Sequence, residues 1–274
     1  MAIATPNPSE NSVRSEKPQK KYGGAKDIHV LTVSLDAPWN WISAGWRDMW
    51  AMPGVSLSYG ILFFLISVSL AGALFVAGLS SLVLALGAGF MLVGPMLAVG
   101  LYEASRRLER QNPVSFRDVL FVETAAPMQL AFLGGLLMLV LLGWIRIASL
   151  LFALFFGLNG FPPLADFLPT LMFTGHGLGL VVVGTIIGAV IAYAVFAISV
   201  ISVPLLMDRD MDAVSAVIVS IKAVTENARP MLLWAWIIAL VMALGMATFF
   251  VGMIIAFPLI GHATWHAYRS LVKH

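Results

Sequence analysis

Beyond residue 54 the chain alternates between long apolar blocks and short charged segments. Residues 55–79 and 82–102 carry no charge until the end of the second, and only Ser80 and Ser81 part them, which predicts two helices in a tight hairpin. Residues 128–157 form a third block, closed by the breaker NGFPPLADFLPT, and residues 177–206 a fourth. Residues 231–267 hold two further arms, 231–246 and 248–267, turning near Gly245–Thr248. About 20 helical residues cross a hydrocarbon core of about 30 Å. The pattern predicts an all-α, polytopic transmembrane helical bundle of six spans arranged as three hairpins. The last pair is the shortest, and residues 231–267 also fit one span followed by a surface helix.

Between these blocks the period changes from uniform apolarity to one-sided stripes. In residues 36–50, Asp36 is placed to cap a helix with Pro38 in its first turn, and Trp39, Ile42, Trp46 and Met49/Trp50 recur at three- and four-residue steps. Tryptophan favours the headgroup level, so this segment reads as an amphipathic helix lying at the membrane surface. Ser115 with Asp118 three residues on resembles a capping box, followed by Phe116, Val119 and Leu120 on one side. Asp212 similarly precedes a helix with Val214, Val217, Ile218, Ile221 and Val224 on one face and Ser215, Lys222 and Glu226 on the other. Both read as short interfacial helices between spans.

Charge gives the bundle an orientation. With six spans, one side receives the N-terminal segment, the loops 103–127 and 207–230, and the C-terminal end. These hold six, four, three and two Lys and Arg, leaving Arg146 as the exception among 16. Basic segments stay on the cytoplasmic side, which predicts a bacterial inner-membrane protein with both termini in the cytoplasm. Residues 1–35 read as a disordered, solvated cytoplasmic tail, its Lys17, Lys20, Lys21 and Lys26 suited to weak contact with anionic headgroups. Residues 36–274 then form a single membrane domain. No apolar run follows a basic start within the first thirty residues, so no cleavable signal peptide is expected. Composition agrees: 60% of residues are hydrophobic and 11% charged, against about 25% charged in soluble domains. Cysteine is absent, which excludes disulfides, thiolate metal sites and cysteine nucleophiles.

A proline recurs near the cytoplasmic end of each returning helix: Pro95, Pro204 and Pro258. Two of these units match further. Tyr102 and Arg106 lie seven and eleven residues after Pro95, and Trp265 and Arg269 hold the same places after Pro258. An aromatic anchor followed by a snorkelling arginine fixes a helix end, and the repetition suggests internal duplication. The stretches GFMLVGPMLAVGLYEASRRLER, PVSFRDVL and AVSAVIVSIKAV through FPLIGHATWHAYRSLV resemble an uncharacterised family of bacterial integral membrane proteins. Some members of that family carry the label cytochrome c oxidase subunit I-like. The resemblance spans roughly residues 40–272 and extends more distantly to the membrane domains of some bacterial glycerophosphodiesterases. It implies a polytopic inner-membrane protein and supplies no functional residue.

Candidate chemistry is sparse. His262 and His266 sit one helical turn apart, a spacing that can hold a metal or a haem edge. His29, His176 and His274 are too far along the chain or across the bilayer to complete a site, with His29 the one conceivable third ligand. Interfacial hydrogen bonding to headgroups or neighbouring loops is therefore the expected role of the pair, and neither metal nor cofactor is expected. Arg146, next to Trp144, falls near the outer interface, where an arginine can snorkel. Glu103, Arg106, Arg107, Glu109 and Arg110 cluster beneath the second span, and Arg106, Arg107, Arg110 and Arg146 are the candidates for gripping an anionic headgroup or a partner. Gly177, Gly184, Gly188 and Ala192 line one side of the fourth span, suiting close helix approach within the chain or self-association through Gly184/Gly188. No nucleophile elbow, zinc-protease, P-loop or dinucleotide motif occurs, and no paired carboxylates share a span. These features point to a non-enzymatic structural, accessory or assembly partner of a membrane complex, in contact with the lipid bilayer and not with nucleic acid. The alternatives are a transporter or channel for a small or lipid-like solute, and a haem- or metal-binding respiratory accessory protein.

Overall fold

The computed structural model describes residues 24–25, 28–78, 82–157 and 164–273. Lys17, Lys20, Lys21, Lys26, the Ser80–Ser81 turn, the start of the proline-rich breaker and His274 lie outside them. The regular elements of the described residues are helices, and an isolated antiparallel bridge pairs Val30 with Val272. In chain order the helices are α1 (Ala37–Ala51), α2 (Pro53–Val76), α3 (Leu82–Leu97), α4 (Val99–Glu109), α5 (Phe116–Leu120) and α6 (Pro127–Phe156). They continue with α7 (Leu164–Phe173), α8 (Gly175–Ser199), α9 (Ser202–Asp208), α10 (Ala213–Glu226), α11 (Ala228–Ala247) and α12 (Met253–Leu271).

Five helices among the described residues are long and apolar enough to cross a membrane: Pro53–Val76, Ala85–Glu109, Pro127–Phe156, Gly175–Asp208 and Ala228–Ala247. The chain is a polytopic membrane protein. The sixth expected span, residues 248–267, is not among the five. It corresponds to α12, whose second half carries His262, Thr264, His266, Arg269 and Ser270 and is wrapped by α1, α2, α4 and α11.

Local chemistry sets the helix ends. Pro38, Pro53 and Pro127 occupy first-turn positions, where the missing amide costs no bond. The Ser115–Asp118 capping box forms in full, and Asp212 accepts the Ser215 amide at 2.8 Å. The Ser115 hydroxyl and amide hold the Asp118 carboxyl below the usual carboxylate range. Asp212 is also held low: burial opposes its charge, but the Ser215 hydroxyl and amide outweigh it. Asp36 stands at the head of α1 but makes no side-chain cap bond, because its own backbone is already helical.

The packed core lies at one end of the bundle. Leu101, Tyr102 and Ala104 of α4, Val203–Met207 of α9, Ala216, Val219 and Ala223 of α10, and Trp265, Ala267 and Tyr268 of α12 are all buried there. At the other end Phe75, Val76, Leu154, Phe173 and Phe249 stand exposed. Apolar side chains facing lipid cost nothing, so spans can diverge where no small residues draw them together.

Helices break inside this core, and neighbours repair the breaks. Between α3 and α4, just after Pro95, the Leu101 amide turns to the Ala98 carbonyl, and the Leu97 carbonyl accepts the Tyr59 hydroxyl at 2.6 Å instead. Between α8 and α9, ahead of Pro204, the Ser220 hydroxyl of α10 inserts into the ladder. It accepts from the Ile201 amide at 3.2 Å and donates to the Ala197 carbonyl at 2.7 Å. Pro258 deprives the Ile254 carbonyl of its intrahelical donor, and Gly60 of α2 packs directly on that carbonyl.

The surface helices pack by the face opposite most of each stripe. In α1 Trp41, Gly45 and Met49 are buried, while Trp39, Trp46 and Trp50 of the predicted stripe face outward. In α10 Ala213, Ala216, Val219, Ser220 and Ala223 are buried, Val214, Ile218 and Ile221 of the predicted stripe are exposed, and Val224 of that stripe turns inward. Small residues go inward because these helices pack closely on the bundle, which leaves the larger apolar stripe for the lipid. Tyr102 and Trp265 are buried core residues and not lipid anchors, and the arginines that follow them meet carboxylates. Part of the segment assigned by composition to the solvated tail is also structured. Ile28 is buried, the Leu31 amide donates to the Leu271 carbonyl at 2.8 Å, and the Val33 amide donates to Asn227 Oδ1 at 2.8 Å. The open backbone at the end of α12 and the buried Asn227 supply the partners that composition does not register.

Gly60 provides a direct test of the α2–α12 contact. A Cβ there collides with the Ile254 backbone, whereas one on Gly54 has open space around it. Gly60→Ala is expected to lower stability by about 1–3 kcal/mol, as overpacking does, and Gly54→Ala to leave it unchanged or slightly raised. Thermal unfolding in detergent, followed by near-UV circular dichroism, compares the two.

Candidate functional site

Two features stand out: a buried polar node around His262 and an apolar chamber on the opposite side of α12. The node joins four helices. His262 is fully buried, with Nε2 2.9 Å from Ser56 Oγ of α2 and Nδ1 2.8 Å from Ser105 Oγ of α4. Ser105 donates to Asp48 Oδ2 of α1 at 2.6 Å, and His266 Nε2 reaches the same oxygen at 2.8 Å.

The proton count is closed. Asp48 as a carboxylate only accepts, so the single Ser105 proton goes to it. The Ser105 oxygen then accepts from His262 Nδ1–H, and His262 Nε2 accepts from Ser56. A neutral imidazole satisfies every donor and acceptor in the chain. Both ring nitrogens are thereby occupied by serine hydroxyls, and neither is left for a metal or a haem iron. Among the described residues no group of three or more His, Cys, Asp or Glu could hold a metal ion. The expected contact of the histidine pair with headgroups or loops is replaced by bonds to the side chains of three other helices. The physical reason is depth: α12 is enclosed by α1, α2 and α4 at this level.

The charge cluster beneath the second span folds onto itself. Arg107 donates to Glu103 at 2.7 Å and reaches Asp118 at 3.2 Å. Arg106 pairs with Glu103 and lies 3.6 Å from Asp208, and Arg110 meets Asp208 at 3.3 Å. The like-charge Arg106–Arg110 pair is thus bridged by a carboxylate from the end of α9. Tyr268 donates to Asp208 at 3.0 Å, and Arg269 donates to Glu109 at 2.8 Å. Arg146 is exposed on α6. Its neighbour Trp144 points the other way, burying its ring and donating to the Ala85 carbonyl of α3 at 2.7 Å.

The chamber has a volume of about 1090 Å³ and lies between α3, α6 and α8 on one side and α11 on the other. Ala88, Leu92, Phe152, Gly184, Ala239 and Met242 are among its lining residues, it is open on the side where Val190 and Trp236 are exposed, and among the described residues no Lys, Arg, Asp, Glu or His lines it. Ser149, Ser199 and Thr264 contribute hydroxyls that donate to carbonyls of their own helices. The glycine face of α8 is used within the chain: Gly188 lies on the Trp144 ring, and Gly184 opens onto the chamber.

Residues 82–208 match a family described as a predicted integral membrane protein (DUF2189). The DUF2189 stretch runs from α3 to α9 and takes in Ser105, Glu103 and three chamber walls. Asp48, Ser56, His262 and His266 fall outside it. No curated protein and no solved structure matches the chain.

Sequence reasoning singled out His262 but missed Asp48, Ser56 and Ser105. Ser56 lies among other serines at the start of an apolar span, and Asp48 lies among tryptophans, so neither carries a spacing signal. Removing Ser105 leaves His262 and Asp48 each short of a buried partner. Ser105→Ala is expected to cost about 1–3 kcal/mol, with exposed Ser115→Ala, outside the node, changing stability less. Chemical denaturation in a mild detergent checks the difference.

Proposed function

We propose that the protein is a non-catalytic inner-membrane protein that accommodates a lipid-like, apolar molecule in the chamber between α8 and α11. One observation carries this reading: about 1090 Å³ of space walled by membrane helices and lined almost wholly by carbon. Binding pockets for small molecules span about 300–1,000 Å³, so the space suits a molecule with long hydrocarbon chains. A polar solute finds no charged group there. This reading makes the chain a carrier or holder of a lipid-like solute. An accessory or assembly role is favoured by the same feature if a helix of another polypeptide occupies the space.

The membrane arrangement proposed is six spans with both termini cytoplasmic and α1, α5 and α10 lying at that interface. Support comes from the bridge between Val30 and Val272, which holds the two terminal segments together and favours an even number of crossings. Beside the five strongly apolar helices, α12, packed on α11, is the candidate for the sixth. The basic loops supply the direction. Reporter fusions after residues 112, 227 and 273 are expected to read cytoplasmic, and those after 78 and 250 external. Opposite sides for 112 and 227 defeat the arrangement.

Gly184 supplies the test of occupancy, since a side chain there projects into open space. Gly184→Phe is expected to fill part of the chamber and reduce retained lipid several-fold in native mass spectrometry, with the unfolding temperature kept. Unchanged lipid retention rejects the chamber as the binding place. Release of a stoichiometric polypeptide instead of lipid selects the accessory reading.

A further inference from the structure

Tyr102 is the most deeply buried of the chamber's polar side chains whose hydrogen bonding the packing leaves open, the others being Thr185, Tyr193 and Trp236. It is 1% exposed, sits on α4 within the span Ala85–Glu109 near its charged end, and lines the chamber. Its hydroxyl makes no hydrogen bond to any described residue, in contrast to Tyr59 and Tyr268, whose hydroxyls reach Leu97 and Asp208. The hydroxyl is not one of the enclosed atoms left without a hydrogen bond, which among the described residues are Glu103 Oε2 and Trp234 Nε1; it opens onto the chamber, where a phenol normally takes a partner. Water, or a group brought by a ligand, can meet the need. Beside Tyr102 the Ser199 and Thr264 hydroxyls spend their protons on the Val195 and Ile260 carbonyls, so toward a bound molecule they can only accept and Tyr102 is the donor. Further out the lining is mostly apolar, Ala88, Leu92, Leu151, Leu180 and Gly184 among it, with the hydroxyls of Ser149 and Thr185 among its polar groups.

We propose that the chamber binds a neutral amphiphile by its carbonyl end: a lipid whose ester or ketone oxygen accepts the Tyr102 hydroxyl while its hydrocarbon chains run outward along α3, α6 and α8. The proposal rests on the chamber being a lipid-binding space and adds the ligand's polarity and direction. A charged headgroup is excluded from this end, since no cationic or anionic side chain lines the chamber to neutralise it. Carbonyl lipids without a headgroup charge, such as diacylglycerols, have the required shape: one compact acceptor group on long chains.

The experiment compares wild-type protein with Tyr102→Phe in detergent, using dioleoylglycerol and hexadecane as probes and native mass spectrometry for occupancy. Tyr102→Phe is isosteric and removes an oxygen that no protein group holds, so the unfolding temperature is expected to stay the same. Dioleoylglycerol binding is expected to fall about five- to tenfold, the effect of one buried hydrogen bond, and hexadecane binding to hold. Equal loss for both probes, or no loss for either, overturns the carbonyl anchor. Failure of the wild type to bind either probe rejects the lipid-binding chamber itself. Should Tyr102→Phe not fold, the carbonyl stretch of wild-type-bound dioleoylglycerol decides: a shift to lower wavenumber relative to the lipid in detergent supports the bond, and an unshifted band overturns it.

Discussion

The ends of the hairpins are tied to one another, and the rest of the structure follows from that joining. Asp208 at the close of α9 meets Arg106, Arg110 and Tyr268, and Glu109 at the close of α4 meets Arg269. The chain's own terminal segments are laced by the Leu31–Leu271 and His29–Lys273 backbone bonds. Exposed single ion pairs contribute little. Here the carboxylates of Glu103 and Asp208 are largely buried and each serves more than one arginine. A network of this kind fixes register more firmly than isolated pairs do, and it holds the ends of α4, α9 and α12 at one surface.

That anchoring explains why the spans are free to diverge. In lipid, apolar surface gains nothing by leaving hydrocarbon for protein, so packing in the bilayer relies on small residues and hydrogen bonds. Both are concentrated at the tied end: Gly45 against Ala263, Gly60 against Ile254, Gly261 against Leu101, and the Ser220 and Tyr59 hydroxyls at the helix breaks. Gly72 of α2 and Gly184 in the middle of α8 have open space beside them, and there the bundle opens, whereas Gly177 and Gly179 at the head of α8 pack on Leu171 and Phe155. The chamber is thus the geometric result of a bundle closed at one end only.

Much of this was legible in the sequence, and what was not has a physical cause. Uniform apolar runs located the spans, and the Ser115 and Asp212 caps read correctly because capping depends on a few adjacent residues. Periodicity found the apolar stripes of α1 and α10 and read both helices as lying at the membrane surface, and most of each stripe is exposed; what the pattern did not register is the opposite face, where Gly45, Ala216 and Ala223 let the helices pack closely on the bundle. Tyr102 and Trp265, read as lipid anchors, are core residues, because aromatic spacing alone does not distinguish the two roles. The polar length of α12 concealed its place at the centre of the fold. The node was half visible: the histidine spacing was plain, but its partners come from three helices as much as 218 residues away in sequence, and no local pattern reveals such a meeting.

The node and the chamber share two walls, and this links them mechanically. On α4, Ser105 faces the Asp48–His262 node while Tyr102, less than one turn earlier, faces the chamber. On α12, His262 belongs to the node and Thr264 to the chamber lining. A fully satisfied buried network has one low-energy arrangement, because rotating any member orphans its neighbour. It therefore holds α4 and α12 in fixed register, and with them the inner end of the chamber. The outer walls, α8 and α11, lack any such bond to each other. The chamber thus combines a rigid polar end with adjustable apolar sides, an arrangement that defines where a ligand's head sits while tolerating variation in its chains.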